Sequence, residues 1–183
     1  MAYTGPGHLR YTMEARPHIF DPIAYPELFE GLPTRRVLAF MIDMFIVAIP
    51  VMFASIFIFL FGLVTFGLGW ALFLLLTPAA MVWAILYYGF TMGGPRSATI
   101  GMRLVDLEIR TWNGAPCNFL LGAVHGSAFW VLISALTPLV LLAACFNKRR
   151  QLLHDILLGT VVVNNERRVA AIHRYGWGTA NGL

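Results

Sequence analysis

The longest stretch of this chain without a Lys, Arg, Asp, Glu or His runs from Met44 to Pro95, fifty-two residues in all. A helix crosses the hydrocarbon core of a bilayer with about 20 residues, so this stretch is long enough for two crossings. The composition also indicates a membrane protein, because only 12% of the residues are charged, whereas soluble domains carry about 25% charged residues. The sequence therefore predicts a membrane protein whose main partner is the lipid bilayer.

Two full transmembrane helices are predicted in and around this stretch. The first runs from about residue 35 to residue 62, and the second from about residue 70 to residue 91. Trp70 lies at one end of the second helix, and Tyr87 and Tyr88 lie near its other end. That placement is typical of the aromatic belts at the two membrane surfaces.

The thirteen Lys and Arg residues fall in three clusters, at residues 10–36, 96–110 and 148–174. The connector between the two predicted helices has none. Positively charged residues collect on the cytoplasmic side of membrane proteins, so the clusters predict a cytoplasmic N-terminus. Because they flank apolar segments rather than form one basic face, they do not indicate nucleic-acid binding.

Two segments outside the predicted helices have the pattern of strands. Apolar and charged residues alternate from Arg103 to Arg110, as in a half-buried strand. Residues 159–163 form a second candidate, rich in valine. We expect the two strands to pair as a small cytoplasmic β element beneath the membrane.

A third apolar segment, Phe119–Phe146, leaves two alternatives open. A single crossing would put the two strand candidates on opposite sides of the membrane, where they could not pair. A broken or re-entrant segment would keep them on one side, with breaks available at Gly126-Ser127 and Thr137-Pro138. The predicted fold class is thus an α-helical polytopic membrane protein with two full transmembrane helices, this third segment, and the small β element.

Three stretches, in this order, resemble the RDD family of bacterial membrane proteins, which is named for one arginine and two aspartates. The first is Arg35-Arg36-Val-Leu-Ala-Phe-Met-Ile-Asp43, the second is the connector at residues 97–116, and the third contains His154-Asp155. The resemblance implies that Arg36, Asp43 and Asp155 are the motif residues. It also implies a multi-pass protein of the bacterial cytoplasmic (inner) membrane.

The resemblance covers residues 35 to about 164 and divides the chain into three parts. These are a cytoplasmic irregular tail at 1–33, an RDD-type membrane domain at 34–165 and a cytoplasmic C-terminal tail at 166–183. Further polar side chains around the motif are candidates for a supporting role: Arg35, His125, Arg149, Arg150 and His154.

Asp43 is an ionisable group inside a predicted membrane helix, where such groups are expensive and raise a functional hypothesis. Arg36 lies two helical turns earlier on the same face and can partner it. In a structural interpretation, Arg36 clamps the first helix to the Asp155 segment while Asp43 is hydrogen-bonded inside the bundle. In a functional interpretation, Asp43 binds a cation or exchanges a proton. The two interpretations are compatible.

The remaining polar residues do not form a recognisable catalytic set. His154 beside Asp155 suggests a metal or acid–base site, but the sequence offers no third ligand at a fitting spacing and no nucleophile. We therefore expect no enzyme activity, no metal and no cofactor. His125 falls within Gly122-x-x-x-Gly126, a spacing of small residues that lets membrane helices pack closely, so it is expected at a helix contact or a polar cavity.

Two classes of function fit these features. The first is a small cation- or proton-linked transporter that uses Asp43 as its intramembrane carboxylate. Two or three helices enclose almost no lumen. A transporter of this size would therefore have to act as a homo-oligomer. The second is a non-transporting accessory or scaffold subunit that packs against a membrane protein complex through its apolar surface.

Overall fold

The computed structural model describes residues 20–146 and 151–175, with residues 133–146 and Tyr175 described as backbone only. The described chain is mostly helical, with one two-stranded sheet. Its helices and strands, in chain order, are α1 (Leu32–Val64), α2 (Phe73–Met92), α3 (Ile100–Leu104), β1 (Leu107–Thr111), α4 (Phe119–Phe146), α5 (Leu153–Leu157), β2 (Thr160–Asn164) and α6 (Glu166–Tyr175). Short 3₁₀ turns lie at Pro26–Leu28 and Leu68–Leu72.

The first two long helices, α1 and α2, are long and apolar enough to cross a membrane. Most of their large apolar side chains lie on the outer surface, an arrangement that lipid favours and water does not. Helix α1 begins at Leu32, three residues before the predicted start, because Pro33 fits the first turn of a helix, where its missing N–H is not needed. Trp70, predicted within the second helix, belongs instead to the 3₁₀ turn that precedes it.

The predicted strand pairing is confirmed. Strands β1 and β2 are antiparallel, with Leu107 opposite Asn164 and Thr111 opposite Thr160. The first strand is shorter than predicted and does not begin at Arg103. Residues 100–104 form α3 instead, because the Thr99 hydroxyl caps that helix by accepting a hydrogen bond from the Met102 N–H at 3.1 Å.

The predicted breaks in the third apolar segment are wrong, since α4 is one continuous helix from Phe119 to Phe146. Ser127 does not disrupt it because its hydroxyl donates to the Ala123 carbonyl at 2.8 Å, within the same helix. The unbroken helix coexists with the paired sheet. After α4 the chain returns to the N-terminal half of that helix, where the rings of His154 and Phe129 lie 5.4 Å apart.

Segments assigned to the two tails pack against the sheet. Phe20, Leu28 and Phe29 are buried in the main hydrophobic cluster together with residues of β1 and β2. The Asn164 side chain of β2 donates to the backbone carbonyls of Glu27 and Glu30, both at 2.9 Å. Near the other end of the chain, α6 buries Val169 and Ile172. The sheet is thus covered by chain from both ends of the protein.

Candidate functional site

Asp43 of α1 is a buried carboxylate that accepts three hydrogen bonds. Its Oδ1 accepts from the Tyr87 hydroxyl of α2 at 2.6 Å and from the Gly101 N–H of α3 at 2.7 Å. Its Oδ2 accepts from the Thr99 hydroxyl at 2.5 Å. Only 4% of the residue is exposed. One side chain therefore joins α1, α2 and the start of α3.

Gly101 makes this junction possible because α3 lies directly against α1. A Cβ atom at Gly101 would lie 2.2 Å from the Ala39 carbonyl oxygen and 2.8 Å from the Asp43 carboxyl carbon. The Ala39 oxygen belongs to the backbone and the Asp43 carboxylate is held by three hydrogen bonds, so a larger residue would push the two helices apart. The Gly101 N–H could then no longer reach Asp43.

Arg36 and Asp155 form a partly buried ion pair between α1 and α5, and their predicted proximity is confirmed. The Arg36 Nη1 lies 2.7 Å from the Asp155 Oδ2, and the same oxygen accepts from the Leu152 N–H at 3.0 Å. Asp155 has no exposed surface. Asp43 thus bonds to uncharged donors, and Arg36 pairs with the second aspartate of the motif.

The arginines that were predicted to support the motif are only partly described. Arg35 donates from Nη1 to the Val105 carbonyl at 3.0 Å, which ties the start of α1 to the segment before β1. Arg149 and Arg150 lie outside the described residues.

Two buried histidines face the other oxygen of Asp155. The His154 Nε2 lies 3.4 Å from the Asp155 Oδ1, and the His125 Nε2 of α4 lies 3.5 Å from it. Hydrogen bonds between nitrogen and oxygen are usually 2.7–3.2 Å long. Within the described part of the chain, neither this Oδ1 nor the His154 Nδ1 has a hydrogen-bond partner. The two imidazole rings meet edge to face, 4.6 Å apart.

The charge state of this cluster follows from burial and from Arg36. Burial opposes ionisation of Asp155, but the Arg36 guanidinium, the two histidines and the Leu152 N–H together outweigh it, and the pKa of Asp155 is lowered to about 2. Burial also lowers the pKa of His154 below its usual value, against the opposing attraction of Asp155. The cluster thus favours an ionised Asp155 and a neutral His154 imidazole, and a neutral imidazole has the nitrogen lone pair that a metal ligand needs.

A cavity of about 100 Å³ connects the two aspartates. Its walls include apolar side chains such as Phe40 and Phe129 together with the whole ionisable set of the site: Arg36, Asp43, His125, His154 and Asp155. The volume suffices for a small ion with water molecules. The fold therefore gathers the charged residues of the motif around one space.

His125 is a candidate third ligand beside His154 and Asp155. One potential ligand atom from each of these three residues lies within 4.8 Å of the other two, and all three residues are buried. The spacing of the sequence does not reveal this proximity, because α4 brings His125 to the start of α5 only in three dimensions.

Tyr87 and Tyr88 were predicted at the membrane surface, and this prediction is wrong. Both are buried, with exposed fractions of 6% and 5%. Tyr87 bonds to Asp43, and the Tyr88 hydroxyl accepts from the Trp130 indole N–H at 3.2 Å. A buried carboxylate needs donors, and a hydroxyl-bearing residue in the neighbouring helix was the signal that could have identified Tyr87.

Gly122 and Gly126 lie where α4 packs on α2. A Cβ atom at Gly122 would lie 2.8 Å from the Met92 side chain and 3.0 Å from the Tyr88 carbonyl oxygen, and one at Gly126 would lie 2.4 Å from the Tyr88 ring. These close approaches require glycine. They place His125, between the two glycines in sequence, at the edge of the cavity.

Comparison with known proteins agrees with the motif. The model of the RDD family matches residues 31–159 of the chain. This protein belongs to the RDD family. The matched region contains Arg36, Asp43 and Asp155, and also both cluster histidines. Neither a search of curated proteins nor a search of solved structures found a match.

Proposed function

We propose that this RDD family protein is a cation carrier of the bacterial inner membrane that binds its ion in the cavity between Asp43 and Asp155. One observation carries the proposal. A chain of which 58% of the residues are hydrophobic gathers two carboxylates, two histidines and an arginine around a single cavity of about 100 Å³. Ionisable groups are costly inside membranes, and they commonly mark ion or substrate pathways.

Within this cavity, Asp155 is the better candidate for the ion-binding carboxylate. Asp43 already accepts three short hydrogen bonds, so an ion would have to displace at least one of them. Asp155 has one oxygen without a hydrogen-bond partner among the described residues. That oxygen can take a cation while the other keeps its bond to Arg36.

The proposed orientation places the N-terminus in the cytoplasm and the chain across the membrane more than once. It is supported by the three basic clusters of the sequence and by two helices of sufficient length. The β1–β2 sheet then lies on the cytoplasmic face, next to the Arg36–Asp155 pair. A reporter fused after Arg168 should give a cytoplasmic signal, and an outward signal would contradict this orientation.

The carrier is proposed to act as a homo-oligomer. Two long apolar helices enclose almost no lumen, and most of the large apolar side chains of α1 face outward. A route for an ion would have to form between copies of the chain.

A second candidate function is an accessory subunit of a membrane complex. It is favoured by the three hydrogen bonds that Asp43 accepts, which suit a structural role, and by the exposed aromatic side chains of α1. Phe57 and Phe61 stack on that outer face, with ring centroids 6.0 Å apart. An accessory subunit would use this face to contact another membrane protein.

Flux measurements in proteoliposomes separate the two functions. Wild-type protein, Asp155→Asn and Asp43→Asn would be compared under sodium, proton and divalent-cation gradients, each first shown to be folded by gel filtration. Glu108→Gln, which changes a carboxylate on the sheet paired with Arg110, is the matched control. We expect flux in the wild type and the control, loss of flux in Asp155→Asn, and partial flux in Asp43→Asn.

Absence of flux in the wild type under every gradient would favour the accessory subunit. Flux that survives in Asp155→Asn but disappears in Asp43→Asn would place the binding carboxylate in α1 and contradict the assignment made here.

A further inference from the structure

We propose that His125, His154 and Asp155 form a binding site for a divalent transition-metal ion of the zinc class. This inference deepens the proposed function, because it assigns a chemical class to the cation held in the same cavity. The three residues come from α4 and α5, and all are buried.

The distances in the cluster fit metal ligation better than they fit hydrogen bonding. Zinc binds nitrogen and oxygen ligands at about 2.0–2.2 Å in tetrahedral geometry, which separates neighbouring ligand atoms by about 3.3–3.5 Å. The Asp155 Oδ1 lies 3.4 Å from one histidine Nε2 and 3.5 Å from the other. The three ligand atoms all lie within 4.8 Å of one another, so an ion between them would bind both imidazole nitrogens after these two atoms move to the tetrahedral separation.

The unpaired oxygen of Asp155 is the second observation. Buried polar atoms normally have a hydrogen-bond partner, and those that lack one call for an explanation such as an ion. Asp155 Oδ1 is buried and has no hydrogen-bond partner in the described chain. It points toward both imidazoles, as an oxygen that shares a metal ion with them would do.

Thr160 faces the other nitrogen of His125 at a distance longer than a usual hydrogen bond, and metal binding would have to shorten this contact. When Nε2 of an imidazole binds a metal, Nδ1 carries the proton and donates it to a neighbouring group. The His125 Nδ1 lies 3.4 Å from the Thr160 hydroxyl at the start of β2. This contact would orient the ring so that Nε2 faces Asp155.

The arginine beside the cluster restricts which ion can bind. Arg36 holds the Asp155 Oδ2 and opposes any cation placed nearby. An alkali or magnesium ion would depend on oxygen ligands, of which the cluster offers few. Imidazole nitrogen binds zinc, copper, nickel and iron well. The two histidines can therefore offset the repulsion from Arg36 for a transition-metal ion, but not for an alkali or magnesium ion.

The site would have three protein ligands and one side open to the cavity. That arrangement is typical of zinc sites that exchange or activate a ligand, whereas structural zinc sites are closed by four protein ligands. An open position next to the cavity suits a transported ion, which must enter and leave.

Zinc binding can be tested directly on the full-length protein purified in detergent. The protein would be stripped with a chelator and titrated with zinc against a chromophoric competitor. His125→Gln, His154→Gln and Asp155→Asn would be compared with His173→Gln, a histidine of α6 that lies outside the cluster and next to Glu27. We expect one zinc ion per chain in the wild type and in His173→Gln, and affinity lowered by more than about 100-fold in each cluster variant, since even outer-shell changes cost about 10–100-fold.

X-ray absorption of the zinc-loaded wild type keeps the proposal testable if a cluster variant fails to fold. It should report two imidazole ligands and oxygen at about 2.0–2.2 Å. A wild-type protein that binds no zinc, a spectrum without imidazole, or equal affinity in folded cluster variants would each overturn the metal site.

Flux data distinguish failure of this inference from failure of the proposed function. Sodium or proton flux that depends on Asp155, in a protein that binds no zinc, would leave the carrier in place and remove the metal site. Zinc binding without flux of any ion would leave the metal site in place and remove the carrier.

Discussion

The two buried aspartates of the motif are satisfied in different ways. Asp43 accepts three short hydrogen bonds from uncharged donors that belong to α2 and to the start of α3. Asp155 has a guanidinium and a backbone N–H on one oxygen, while its other oxygen faces two histidines at distances longer than hydrogen bonds. Both oxygens of Asp43 therefore accept hydrogen bonds, whereas the Oδ1 of Asp155 has no hydrogen-bond partner in the described chain.

This difference indicates which part of the site holds the fold and which part is available to a ligand. A carboxylate that accepts hydrogen bonds on both oxygens, as Asp43 does, stabilises the helices that donate to it. A carboxylate with an unused oxygen next to a cavity can bind an ion without losing its existing bonds. The same residue type therefore has two roles within one motif.

The largest effect is expected at the Arg36–Asp155 pair. Arg36→Ala and Asp155→Asn should each lower the free energy of unfolding by about 3–5 kcal/mol, because removing one partner leaves the other buried without compensation. Thermal unfolding in detergent would measure both. The double variant should be much less destabilised than the sum of the two, with a coupling energy of up to about 3 kcal/mol. Additive effects would contradict a direct ion pair.

A smaller effect is expected at the Asp43 junction. Tyr87→Phe removes one hydrogen bond to a charged group and should destabilise the protein by about 1.5–3 kcal/mol. Zinc affinity should stay within a few-fold of the wild type, since Tyr87 does not contact the histidine cluster. Thermal unfolding and a zinc titration of the same sample provide both values. A Tyr87→Phe variant with normal stability and lost zinc binding would reverse the roles assigned to the two aspartates.

The smallest effect is expected at the ion pair on the sheet. Arg110 and Glu108 lie on the same strand, with their side chains 3.0 Å apart and partly exposed. Pairs near the surface contribute about 0–1 kcal/mol, so Arg110→Ala should change the unfolding midpoint only slightly. The measurement is thermal unfolding of Arg110→Ala and of Arg36→Ala under the same conditions. If Arg110→Ala and Arg36→Ala lowered the unfolding temperature equally, burial would not determine the strength of the Arg36–Asp155 ion pair.

Much of the fold could be predicted from sequence because its determinants are local. The uncharged run from Met44 to Pro95 indicates two long apolar helices, and alternation before Arg110 indicates a strand. The proximity of Arg36 and Asp155 could also be predicted, because pairing of the two strands brings their segments together. Family resemblance identified the motif residues themselves.

The rest of the site could not be predicted because it depends on packing between distant segments. Nothing in the spacing of His125 and His154 indicates that α4 would bring them to 4.6 Å from one another. The burial of Tyr87 was missed because its position at a helix end is also typical of an interfacial tyrosine. The continuity of α4 was missed because glycine and proline indicate breaks in water-soluble helices, whereas tight packing and membrane-like surroundings tolerate both.

The measurement that tests the central claim most directly is a structure of the zinc-soaked protein with anomalous scattering data collected at the zinc edge. We expect one peak per chain, about 2.0–2.2 Å from the Asp155 Oδ1 and from the Nε2 atoms of His125 and His154. A peak beside Asp43, or no peak in the cavity from crystals soaked well above the measured zinc affinity, would contradict the assignment of Asp155 as the ion-binding carboxylate.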